Sequence, residues 1–205
     1  MKFRPLSCFA ATAIAAGLSV VSPVRAQTAA APPTEVKNVV LVHGLYADAS
    51  SWAKVIPLLQ AKGLHVTAVQ NPTTSLDADV DAVKRALAQQ DGPTILVAHS
   101  YGGMVMSQAG DDPKVEGPVF IAARAPDAGE DYAALTKKFP KAPASSGVQW
   151  SVDGYGLLSQ EAFLDDFAGD LPKSEAMVYF AVQQPMGKAI TTASRGSRRP
   201  PLRQD

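Results

Sequence analysis

Apolar positions along the chain follow two rhythms that alternate. Short unbroken runs lie in "NVVLVHG" (ending at Gly44), "HVTAVQNP" (from His65), "TILVAHS" (Thr94 to Ser100) and "GPVFIAA" (Gly117 to Ala123). Runs of this length suit strands buried on both faces, because a half-exposed strand alternates apolar with polar residues. Between them the spacing turns helical. "SSWAKVIPLLQAKG" brings Trp52, Ile56 and Leu59 to one side, with a serine cap and a terminal Gly63. Leu76, Val80, Val83 and Leu87 form one stripe of a helix ending near "QQDG", and "SYGGMVMSQAG" reads as a helix starting at Ser100. Strand and helix in alternation predict a doubly wound, mostly parallel α/β sheet over residues 38–123.

After Ala123 the rhythm changes. Residues 124–190 lack strand signals and carry helical, mixed-polarity segments such as "SQEAFLDDFAGDL" and "KSEAMVYFAVQQ", which read as a helical cap laid over the sheet. The two ends differ again. Lys2 and Arg4 precede an alanine-rich apolar run, roughly Cys8 to Val21, and "SPVRAQ" presents small residues at Val24 and Ala26. That is the pattern of a secretory signal peptide over residues 1–26, too short for a comfortable bilayer span. The mature chain is therefore expected to be periplasmic or secreted, with no stable membrane span after cleavage and an Ala/Pro-rich linker over 27–37.

Composition changes the picture in two places. Cys8 is the sole cysteine, so the mature chain has no disulfide or thiolate metal ligand. The chain balances 19 basic against 19 acidic residues, but Lys2, Arg4 and Arg25 belong to the leader. The remainder is mildly acidic, which argues against nucleic acid as a partner. Residues 191–205 form an atypical basic tail in which "RGSRRPPLRQD" holds four of the eight arginines. A short Arg/Pro stretch of this kind reads as solvated.

The chemistry points to Ser100. It stands between a predicted strand and a predicted helix, where the crevice beyond the strand ends of a parallel sheet gathers ligands. A strained strand-to-helix turn needs small residues two before and two after the serine, and here they are Ala98 and Gly102. The His43–Gly44 turn after the first strand can offer a backbone N–H to a developing oxyanion, and the Tyr101 N–H at the helix start is a second donor.

In order along the chain, "VVLVHGLYADASSW", "VIPLLQAKGLHVTAVQNPTTSL", "GPTILVAHSYGGMV" and "VFIAARAPDAGE" resemble the α/β-hydrolase superfamily. The likeness is greatest to small bacterial esterase-like members, relatives of plant methyl esterases and hydroxynitrile lyases, and runs from about Val39 to Met186. It implies an α/β-hydrolase fold, Ser100 as nucleophile, Leu45 and Tyr101 as oxyanion-hole amides, and a small-molecule ester substrate without a cofactor. It also implies an acid and a histidine after the serine, in that order.

No histidine follows Ser100: the three are His43, His65 and His99. His43, with Gly44, reads as support for the oxyanion loop, His65 as structural, and His99 as packing with its ring turned from the serine hydroxyl. Their spacing offers no metal site. Asp127, just past the fourth strand, is the remaining acid candidate against its plainer reading as a turn residue. Trp52, Trp150, Tyr155 and Phe163 are candidates to line an acyl pocket, or else to fill core and cap.

The family pattern continues into further strands, whereas this chain passes after "MGKAITTAS" into Arg and Pro, which reads as C-terminal truncation or frameshift near residue 190. The last strands of the sheet are then lacking, and "GPVFIAA" becomes an apolar edge open to self-association. Two functional readings result. One is a serine esterase forming a Ser100 acyl-enzyme, impaired by the missing histidine. The other is a non-catalytic hydrolase-like remnant or small-molecule-binding protein. A lyase activity within the family would use the same serine.

Overall fold

The computed structural model describes residues 35–130 and 132–193. The expected leader, most of the linker and the basic tail from residue 194 lie outside the described residues.

Four apolar runs form the strands β1 (Asn38–Val42), β2 (His65–Val69), β3 (Thr94–His99) and β4 (Val115–Ile121). All pair in parallel, in the order β2-β1-β3-β4. The register sets Val42, Ala98 and Phe120 in one row and Leu41, Val97 and Val119 in the next. Adjacent rows face opposite sides of the sheet, so each face has its own set of apolar residues.

One face carries Val40, Val42, Leu96 and Ala98 and is covered by α2 (Leu76–Ala88) and α3 (Gly102–Ala109). The α2 stripe of Leu76, Val80, Val83 and Leu87 is buried here. Ser75 caps this helix by accepting a hydrogen bond from the Ala78 N–H at 3.2 Å, which satisfies one of the donors a helix start leaves open. On the other face Val39 and Leu41 pack against Trp52 and the partly buried Val55, Ile56 and Leu59.

Two expectations are modified. The continuous helix read across "SSWAKVIPLLQAKG" is broken into a tight 3₁₀ turn, Ala49–Trp52, and the five-residue α1, Ile56–Gln60. Asp48, not a serine, caps the turn by accepting from the Ser50 N–H at 2.9 Å. Pro57 lacks an N–H and sits in the first turn of α1, where that loss costs nothing.

The segment after β4 is not wholly helical either. It contains α4 (Tyr132–Lys137), α5 (Lys173–Ala181) and a small antiparallel sheet of β5 (Val148–Trp150), β6 (Tyr155–Leu158) and β7 (Met186–Gly187). Strands of two to four residues are too short to establish a period. The readable signal is Asp153–Gly154, with Gly154 at φ +85° in the turn between β5 and β6. This cap has its own apolar cluster around Leu158 and Phe163.

The cap returns to the sheet at a defined point. The Gly187 N–H donates to the Thr73 carbonyl at 2.8 Å, and the Thr73 hydroxyl donates to the Pro185 carbonyl at 2.8 Å. Among the described residues, no helix is long and apolar enough to cross a membrane.

Candidate active site

Each strand of the parallel sheet leads into a loop that holds one non-glycine residue at positive φ. They are Tyr46 (φ 58°) after β1, Thr73 (51°) after β2, Ser100 (52°) after β3 and Ala122 (41°) after β4. An L-residue in this region costs of order 1–3 kcal/mol and persists only where surrounding structure enforces it. The strain is therefore gathered at the carboxyl edge of the sheet, where a fold of this kind places its ligand crevice.

Ser100 has the tightest enforcement. Its carbonyl accepts from the Gly103 N–H at 3.1 Å and from the Arg124 N–H at 3.0 Å, so the start of α3 and the loop after β4 both hold it. A side-chain carbon on Gly102 would lie 2.7 Å from the His43 carbonyl oxygen and 2.8 Å from that of Val42. Only glycine lets the helix start come this close to the end of β1. On the facing turn, a carbon added to Gly44 would lie 2.9 Å from the Ser100 Cβ. The His43–Gly44 turn thus lies directly against the serine, with the buried Leu45 next in the chain.

His43 has no exposure, and both ring nitrogens are engaged. The Asn71 N–H donates to Nε2 at 3.0 Å, which leaves Nδ1 to carry the proton and donate to the Gly44 carbonyl at 2.8 Å. Burial holds its pKa below the ordinary histidine value, so the ring stays neutral. His43 fixes the turn and has no nitrogen left for a proton from Ser100. His65 starts β2 at the opposite edge of the sheet, with Nδ1 3.1 Å from the Asn38 side-chain oxygen.

Beneath the elbow lies a carboxylate that the helical stripe conceals. Asp79 has no exposure; it accepts from the Tyr101 hydroxyl at 2.8 Å and from the Thr73 N–H at 2.7 Å. It therefore joins the residue after the nucleophile to the strained Thr73, where the cap returns. Burial raises its pKa to about 6, against the lowering effect of those two hydrogen bonds. Sequence reasoning missed this residue, although its spacing, three after Leu76 and four before Val83, places it on the apolar stripe.

The other named residues scatter. Asp127 is exposed in a turn, its N–H donating to Glu130 Oε2 at 3.0 Å. Trp52 is buried against the sheet, Trp150 is 46% exposed, and Tyr155 lies in the β5–β6 hairpin. Of the four aromatic candidates, Phe163 alone lines the cavity described next.

A cavity of about 390 Å³ opens between the loop after β1 and the cap, lined by Tyr46, Phe163, Phe167, Leu171 and Tyr179 among others. His99, read from the sequence as a packing residue, also lines it. At the rim Lys54 and Glu175 form an ion pair at 2.5 Å that joins the core to α5.

Comparison with known proteins agrees with this geometry. The alpha/beta hydrolase family profile matches residues 39–204. Methylesterase 7 of Arabidopsis thaliana is 38% identical over 122 residues, covering 51% of this chain and 46% of that protein. Salicylic acid-binding protein 2 of Nicotiana tabacum is 30% identical over 175 residues, covering 78% of this chain and 66% of its own. The chain spans less than half the length of the first curated relatives it matches. Among solved structures, polyneuridine aldehyde esterase superposes with a TM-score of 0.66 at 20% identity, covering 80% of this chain and 75% of that one. A parallel sheet that delivers a strained serine into a His-Gly turn, with a profile match over most of the sequence, places the chain in the alpha/beta hydrolase family.

Proposed function

We propose that the protein is a serine hydrolase of small carboxylic esters. In this reading the Ser100 hydroxyl oxygen attacks the ester carbonyl, and the carbonyl electrons move onto oxygen. The Leu45 and Tyr101 N–H groups stabilise that oxyanion; its collapse breaks the ester C–O bond, the departing oxygen takes up the proton released by Ser100 and leaves as the alcohol, and water later releases the acyl-Ser100 intermediate as the acid. The observation that carries the reading is the enforced φ of 52° at Ser100, pressed against Gly44. Several relatives are named methylesterases or esterases, which supports an ester as substrate.

Attack and deacylation both need a base. His43 is committed on both nitrogens, His65 is at the far edge, and the chain has one further histidine, His99, immediately before the nucleophile. Loss of the catalytic histidine in a serine hydrolase costs about a millionfold in turnover. This polypeptide is accordingly expected to hydrolyse esters slowly. The same observation favours a second reading, a binding protein that keeps a hydrolase cavity.

Hydrolysis of p-nitrophenyl acetate by the protein and by Ser100→Ala separates the two. A slow rate above background that disappears in Ser100→Ala is the expected result. A rate unchanged by the substitution removes the serine mechanism and leaves the binding reading.

A further inference from the structure

We infer that His99 is a substrate-recognition residue, its imidazole hydrogen-bonding a hydroxyl or keto group on an uncharged, otherwise apolar ester held in the cavity beneath the cap. The inference deepens the esterase reading and rests on it for the identity of the ligand as an ester.

His99 differs from the other two histidines in how its ring is used. His43 and His65 both hydrogen-bond to neighbouring groups, whereas neither ring nitrogen of His99 has a hydrogen-bond partner among the described residues. The ring is nonetheless half-buried and lines the cavity. It lies close to the oxyanion loop: a carbon added to Gly44 would be 3.4 Å from His99 Nδ1 and 2.9 Å from Ser100 Cβ. One glycine therefore abuts both the nucleophile and this ring; of the two, His99 lines the cavity and Ser100 does not.

Burial lowers the pKa of His99, so the ring is neutral near pH 7 and offers one N–H donor and one lone pair. Such a ring, half removed from water and unpaired, favours a ligand that supplies the missing partner. The surrounding walls restrict the ligand further. Phe163, Phe167, Leu171 and Val182 give an apolar body its contacts. Three carboxylates, Asp48, Asp170 and Glu175, line the cavity against one ammonium, Lys54, which is already paired with Glu175. That balance disfavours an anionic ligand, leaving an uncharged polar group as the partner of the imidazole.

The three histidines make the test direct, since protein labelled with 15N-histidine shows only three imidazoles. Methyl 3-hydroxybenzoate and methyl benzoate are titrated into the protein and into Ser100→Ala, which keeps the esters intact. The hydroxy ester is expected to bind about three- to tenfold more tightly, the worth of one hydrogen bond. It should shift the His99 ring nitrogens while those of His43 and His65 stay in place. His99→Leu should abolish the preference and His99→Gln restore part of it. Equal affinity for the two esters, a preference that survives in His99→Leu, or no saturable binding of either ester overturns the inference. Ser100-dependent hydrolysis without the preference removes this inference alone. The preference without such hydrolysis removes the esterase reading and leaves His99 as a recognition residue of a binding protein.

Discussion

The two faces of the parallel sheet are built to different depths. On the α2/α3 face, Val40, Val42, Leu96 and Ala98 have no exposure at all. On the opposite face, Leu41 is equally buried under Trp52, but Val97 is only partly buried; toward β4 the cover runs out on both faces, with Phe120 36% exposed and Val119 and Ile121 43% and 45% exposed. The elbow rests on the deep face, because α3 begins two residues after Ser100 and packs there against α2, which carries Asp79. Close packing allows an L-residue to be held at positive φ, since any relaxation of Ser100 must displace atoms with no free space around them. The shallow face supports the fold but does not determine the geometry of the nucleophile.

Cavity-forming substitutions give the largest contrast, between the covered centre of the sheet and its β4 edge. Leu96→Ala, under α2 and α3, should cost about 3–5 kcal/mol in a denaturation experiment, while Ile121→Ala should fall within roughly 1 kcal/mol. Equal losses would show that the covered centre of the sheet and its β4 edge bear the fold alike.

Asp79 sharpens the comparison through pH. Its carboxyl ionises at about 6 when folded against an ordinary value of 3.8, so the folded chain holds this proton more tightly than the unfolded one. Its contribution to stability is present below about pH 4 and is lost as the pH rises through 6, a change of about 3 kcal/mol. Asp79→Asn keeps an acceptor for the Thr73 N–H and removes the titration. Relative to the parent, it should gain stability between pH 4 and pH 7.5. A constant difference between the two proteins over that range would contradict the assignment.

Gly102→Ala is smaller in stability terms, about 1–3 kcal/mol from overpacking against the Val42 and His43 carbonyls. It should reduce Ser100 chemistry by more than its cost in stability implies, because it separates α3 from the oxyanion turn. The smallest effect is expected at the free edge. Ile121→Lys should change stability by no more than about 0.5 kcal/mol. It should also lower any self-association seen in sedimentation, as a charge does on an exposed apolar strand.

The deep face was the legible one. Buried parallel strands leave unbroken apolar runs, and a strained turn restricts Ala98 and Gly102 to small residues, so both features are written locally. Asp79 was not legible, because among Asp77, Asp79 and Asp81 the sequence does not separate two surface carboxylates from a buried one unless the stripe is followed residue by residue. The cap strands were hidden by their brevity. The accessible imidazole of His99 depends on a cavity formed by residues from 46 to 182, a long-range arrangement that no local pattern records.

The central claim is that Ser100, held at the elbow between the oxyanion turn and α3, is the nucleophile. Incubation with p-nitrophenyl acetate followed by peptide mass mapping tests it without requiring turnover. A single acetyl group should appear slowly on the peptide bearing Ser100 and persist, since the buried His43 is committed on both nitrogens and His65 lies at the far edge of the sheet. Ser100→Ala should then stay unmodified. Acetylation confined to lysines, or identical in the Ala variant, would contradict the account.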